Sequence, residues 1–136
     1  MEPLFSPGDT IDISLGWYVC HLPERDDFVM LHFSGNDAPI LKRVRGIPGD
    51  SFGVDILSNG EGEFLINHAV LKNSQGEAYH ISSARAKIWT SYKEQFRGMI
   101  PQGLFFVLGE VSAGSLDSSR FGFVRQSDFL GKVHVK

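Results

Sequence analysis

The chain is poor in everything that would staple, anchor or strongly charge it. Its single cysteine, Cys20, leaves no internal disulfide and does not fix a redox compartment. Lying in the apolar run 17–22, that thiol is expected to be a small buried hydrophobe. No apolar run approaches the length of a membrane-spanning helix, and no charged-then-apolar leader opens the sequence. The formal net charge of -3 gives no reason to expect nucleic acid or an anionic surface as a partner. Five histidines are scattered without ligand spacing, so neither a metal nor another cofactor is expected.

What is present is ordinary in amount and informative in order. With 136 residues the chain reads as one domain, residues 1–136, long enough for a real core. Eleven Phe and fifteen Gly, set among short apolar runs, point to an all-β, mostly antiparallel fold with few or no helices. Residues 10–15 alternate as a half-buried strand. Residues 28–33 are nearly continuous hydrophobe, as in a strand covered on both faces. Two further strands are expected at 52–57 and 63–71 around the Ser58-Asn59-Gly60 turn, and a buried one at 104–108. Residues 84–96 fit a helical and an alternating pattern equally, with strand or irregular structure preferred. Residues 109–120 read as a Ser/Gly-rich loop, and 132–136 alternate with Val133 and Val135 on one face.

The stretch that carries chemistry is Leu41-Lys42-Arg43-Val44-Arg45-Gly46-Ile47-Pro48-Gly49-Asp50. In an extended strand Ile40, Lys42 and Val44 share one face, while Arg43 and Arg45 take the other, where water can solvate them. A lysine on the inward face loses hydration, so its charged form becomes the costly one. Neutralising a free lysine near pH 7 costs about 4–5 kcal/mol, and burial can supply much of that. This is how an amine becomes a general base. Pro39 cannot donate a ladder hydrogen bond, which favours a sheet edge. Gly46, Pro48, Gly49 and Asp50 end the strand in a turn, with Asp9 and Asp50 expected as turn formers. On their own, Ser115 and Asp117 are loop residues suited to capping backbone amides.

Three segments combine into a more specific pattern. They are Met1-Glu2-Pro3 followed by Gly8-Asp9, the lysine stretch, and Phe106-Val107-Leu108-Gly109 leading to Ser115-Leu116-Asp117-Ser118 and Phe121-Gly122-Phe123-Val124. In this order they resemble the catalytic domain of type I signal peptidases, bacterial serine proteases with a Ser-Lys dyad, including the conjugative-transfer peptidases. Asp27-Phe28-Val29 and Ile66-Asn67 are similar to that family's Gly-Asp-Ile-Val strand and Val-Asn-Gly hairpin. The resemblance implies a signal-peptidase-like coiled β-sheet. It also implies Lys42 as the base, Ser115 as the residue orienting its amine, and Asp117 as the carboxylate anchoring the loop behind it. The substrate it implies is a signal or leader peptide of an exported protein, laid as an added strand along Pro39, Ile40 and Leu41 with Met1 and Pro3 nearby.

This sequence departs from the family in three places. It starts at Met1, where the family has Ser-Met-x-Pro, and Ser6 lies too far along to replace that serine. The expectation is therefore a soluble piece without the nucleophile, inactive as it stands, from a protein whose membrane-anchored catalytic domain faces the extracytoplasmic side. Gly109-Glu110-Val111-Ser112-Ala113-Gly114-Ser115 stands where the family reads Gly-Asp-Asn-Arg-Asp-Asn-Ser. Ser119 stands where the family has an arginine, with Arg120 one place later. Two alternatives remain open: a non-catalytic relative that binds peptides or serves assembly, and a self-cleaving repressor-type peptidase domain.

Overall fold

A computed structural model of the protein describes residues 8–32 and 38–134. In chain order the elements are β1 (Asp12–Leu15), α1 (Trp17–Cys20), β2 (Phe28–Leu31), β3 (Ile40–Gly46), β4 (Phe52–Ile56), β5 (Gly62–Ile66), β6 (Ala69–Val70) and β7 (His80–Ile81). They continue with α2 (Ser83–Gln95), β8 (Leu104–Leu108), α3 (Ser118–Phe121), β9 (Val124–Arg125) and β10 (Phe129–His134). A six-stranded sheet runs β1-β10-β2-β3-β8-β9, and a smaller sheet runs β4-β5-β6 with β7 also paired to β5. Every pairing is antiparallel, as expected for a mostly antiparallel β fold with few helices.

β8 explains how the two sheets are joined. Its successive residues point to opposite faces. Phe105 and Val107 enter a cluster with Tyr18, Val29, Leu31 and Val44 on one side of the large sheet. Phe106 and Leu108 enter a second cluster with Phe52, Phe64, Ile66 and Trp89 on the other. Both faces are buried, which is why this strand reads as an unbroken apolar run. At Gly46, where the β3–β8 register shifts, a Cβ would lie 2.6 Å from Ile100 Cδ1 and 3.1 Å from Phe106 Cβ. The glycine is what lets the two layers close.

Several expectations are corrected here. Residues 84–96 are not a strand: Ser82 caps α2 by accepting from Arg85 N at 3.3 Å, and Ala86 and Trp89 face the core. Cys20 is exposed, because four residues of helix turn it away from buried Tyr18. β1 is an edge strand with Leu15 77% exposed, so half-burial fails there. In 28–33, Val29 and Leu31 are fully buried while Phe28 and Met30 are only half covered. The run 63–71 is a hairpin, broken at Asn67 and His68, both at positive φ.

β3 is also not an edge strand: β2 lies on one flank and β8 on the other. The proline argument holds only for its beginning. β2 pairs with Ile40 through Arg43, whereas β8 pairs from Arg43 onward. Among the described residues, Ile40, Leu41 and Lys42 therefore have a partner strand on one side only.

Candidate active site

The alternation read from the sequence places Lys42 on the inward face. It stands directly opposite Val29 of β2, and Val44, two residues on, stands opposite Val107 of β8. Val29, Val44 and Val107 are fully buried, and Lys42 itself is 9% exposed. Burial pushes the amine below its ordinary pKa of 10.5, and the nearby Asp117 carboxylate opposes that shift.

Lys42 Nζ donates to Ser115 Oγ at 3.2 Å, and Ser115 Oγ donates to Asp117 Oδ2 at 2.7 Å. The serine proton is thus committed to the carboxylate and its lone pairs to the amine. One amine N–H is held in turn, which directs the lone pair of a neutral amine away from Ser115. The amine is arranged to accept a proton from a different hydroxyl.

Asp117 is 1% exposed and collects four hydrogen bonds. Oδ2 accepts from Gly109 N at 3.0 Å and from Ser115; Oδ1 accepts from Ser119 N at 3.0 Å and Ser119 Oγ at 2.5 Å. Ser119, which stands where the resemblance has an arginine, thereby supplies two neutral donors to Oδ1. Arg120 is exposed, so the one-residue offset keeps it out of the site. It lies on α3, where one residue is about 100° of rotation.

Gly109 forms the wall of this pocket. A Cβ there would lie 2.6 Å from Ser115 Oγ and 3.2 Å from Lys42 Nζ. Its carbonyl accepts from Tyr79 Oη at 2.5 Å.

Arg43 and Arg45 are not left to solvent as the alternation suggested. Their side chains are 21% and 13% exposed. Arg43 lies 3.2 Å from Asp26 and 3.5 Å from Glu110, over the Phe28 ring; Arg45 lies 3.5 Å from Asp26 and donates to Lys72 O. Glu110 has a fully buried side chain and was not singled out from sequence. The signal for it was there: it follows Gly109 as the aspartate does in the family's Gly-Asp-Asn run. Tyr79 and Ser119 had no comparable signal. Asp50 is the turn former expected, accepting from Ile47 N at 3.0 Å, and also pairs with Arg25 at 2.6 Å.

Of the substrate-side residues, Ile40 and Leu41 are half-buried and Pro39 is exposed. Met1 and Pro3 lie outside the described residues. Among the described residues no three His, Cys, Asp or Glu side chains gather as a metal site.

The structure thus joins a buried strand lysine, a serine and a carboxylate in a row on a two-sheet β body, and comparison with known proteins gives the family. The chain belongs to the type I signal peptidases: the pattern described as signal peptidase, peptidase S26, matches residues 1–136. It is similar to signal peptidase IB of Staphylococcus aureus, 30% identical over 141 residues, covering 100% of this chain and 72% of that protein. Probable signal peptidase I-2 of Synechocystis is 27% identical over 144 residues, covering 100% of this chain and 58% of that one. A crystal structure of a signal peptidase I from Enterococcus faecalis superposes with a TM-score of 0.55 at 22% identity, covering 82% of this chain and 97% of that one, and so shares the fold. Among the described residues no helix is long and apolar enough to cross a membrane.

Proposed function

We propose that Lys42 is the general base of a Ser-Lys dyad that cleaves signal or leader peptides from exported proteins at the outer face of the membrane. The observation that carries this is the buried amine of Lys42 hydrogen-bonded to Ser115, which Asp117 holds in turn. The nucleophile in this mechanism is the hydroxyl of a serine directly ahead of Met1. Neutral Lys42 takes its proton as the oxygen attacks the scissile carbonyl. The resulting ammonium gives that proton to the leaving amine. A water then loses a proton to Lys42 while attacking the acyl ester, and the serine leaves with the proton returned. The peptide lies as a strand against residues 39–41, on the flank of β3 that β8 does not reach.

The test is a chain with serine placed directly before Met1, assayed on a quenched peptide with small residues ahead of the scissile bond. Cleavage that is lost in both the serine→Ala and Lys42→Ala variants supports the dyad. Cleavage that survives Lys42→Ala overturns it. Peptide binding without cleavage marks a binding module instead.

A further inference from the structure

We propose that Tyr79 is a positioning residue for the Lys42 amine, acting through the Gly109 carbonyl; this rests on the dyad just described. The starting point is how little clearance Gly109 leaves. A Cβ added here would lie 2.6 Å from Ser115 Oγ and 3.2 Å from Lys42 Nζ, so only the bare glycine backbone fits beside the two groups. Asp117 Oδ2 holds both the Gly109 N–H and the Ser115 hydroxyl, so a drift of this wall is passed to the Lys42–Ser115 pair.

Two side chains hold the wall. On one side Asp117 accepts the Gly109 N–H, and on the other Tyr79 donates to the Gly109 carbonyl at 2.5 Å. Asp117 already belongs to the row that orients the amine. Tyr79 comes from a different part of the fold, the segment between β6 and β7 in the smaller sheet. That segment, together with the first residue of β7, grips the same stretch at three more points. Asn73 Nδ2 donates to Glu110 O at 2.8 Å, Ser74 N to Glu110 Oε2 at 2.8 Å, and His80 N to Ser112 O at 2.9 Å. The smaller sheet is a splint for residues 109–112, and Tyr79 is the part of it bonded to the pocket wall.

The phenol is suited to the task. Its ring is 3% exposed in the apolar cluster around Trp89, so its position is set by packing. Burial first, then the Glu110 carboxylate, pushes its pKa up to about 12, Arg45 opposing, so it stays a donor at working pH. Asp117 is the charged group acting on the amine itself. The Tyr79 hydroxyl contributes geometry and dryness rather than charge.

Tyr79→Phe keeps the ring and removes one donor. In the chain carrying serine ahead of Met1, it is expected to lower kcat about tenfold, on the scale of small misplacements at reacting groups, with KM moved less than about twofold. The acid limb of the pH profile should move to higher pH as water reaches Lys42 and its proton is held more tightly. In the chain as it stands, the same variant should slow labelling of Lys42 by an amine-selective reagent at neutral pH. Unchanged kcat, acid limb and labelling, with only a lower thermal midpoint, would overturn the proposal. Should Tyr79→Phe fail to fold, site-specific difluorotyrosine at position 79 preserves the shape but loses its donor on ionising. Activity falling along that ionisation supports the role; activity indifferent to it overturns it. If Lys42→Ala still cleaves, the dyad fails; if Lys42→Ala is dead and Tyr79→Phe is normal, only the positioning role fails.

Discussion

Lys42 and Val29 face each other across two hydrogen-bonded strands, a lysine paired in register with a fully buried valine. The stability of the fold should record that pairing. The amine's folded pKa lies below its unfolded value. At pH below both values the two states carry the proton equally. As pH climbs from the folded to the unfolded value, the folded state sheds its proton first, the unfolded state binds more protons, and stability rises with pH. Lys42→Met is therefore expected to be more stable than the parent at pH 7, by on the order of 1 kcal/mol. The difference should shrink toward pH 10 in urea titrations. A parent that loses stability relative to Lys42→Met over that range would contradict the burial.

Asp117 answers four donors at once, so shortening it strands several buried groups. Asp117→Ala should cost about 3 kcal/mol or more in chemical denaturation, from unsatisfied Gly109 and Ser119 amides. Asp117→Asn keeps the outline but removes the charge that raises the Lys42 pKa. Its pH profile of Lys42 labelling should shift to lower pH, the reverse of the shift expected for Tyr79→Phe.

At Gly109 the test is steric. Gly109→Ala puts a methyl group into the space of Ser115 Oγ, and relieving the overlap separates Lys42 from Ser115. We expect a loss of about 1–3 kcal/mol, typical of overpacking, together with loss of any lysine-dependent cleavage. Unaltered stability from thermal melts would show that the wall has more room than the distances indicate.

Trp89 is the aromatic centre of the cluster between the sheets. It makes edge contacts with Phe52, Phe64, Tyr92, Phe106 and Phe123, and donates to Ser119 O at 3.3 Å. Trp89→Ala should cost about 3–5 kcal/mol, read by denaturant midpoint, with collapse of the near-ultraviolet circular dichroism.

Strand alternation was enough to turn Lys42 inward, and the unbroken apolar run of β8 was enough to bury it on both faces. The failures have a common cause in contacts that sequence pattern does not encode. In α2 the buried face is carried by Ala86 and Trp89, whereas Ile88, which falls on the apolar positions of both a helical (84, 88, 92, 96) and an alternating (86, 88, 90, 92) pattern, is 49% exposed. Arg43 and Arg45 alternate toward the outer face as expected. Asp26 and Glu110 arrive there from elsewhere in the chain and displace the water. The carboxylate–serine–amine row followed from the family pattern at Ser115 and Asp117. Ser119 in place of a guanidinium had to be seen in three dimensions, because only the N-cap geometry of α3 brings its amide and hydroxyl onto Oδ1.

In the large sheet β10 lies between β1 and β2, and Ser14 reaches His134 at 2.7 Å across 120 residues of sequence. A nascent chain therefore cannot zip this sheet up in the order of synthesis. β2 and β3 can pair early, but β1 must wait unpaired until β10 has been made. Closure of so long a loop is slow, and an unpaired strand is a site for intermolecular association meanwhile. Folding yield, more than equilibrium stability, should be what a mutation in β10 damages first.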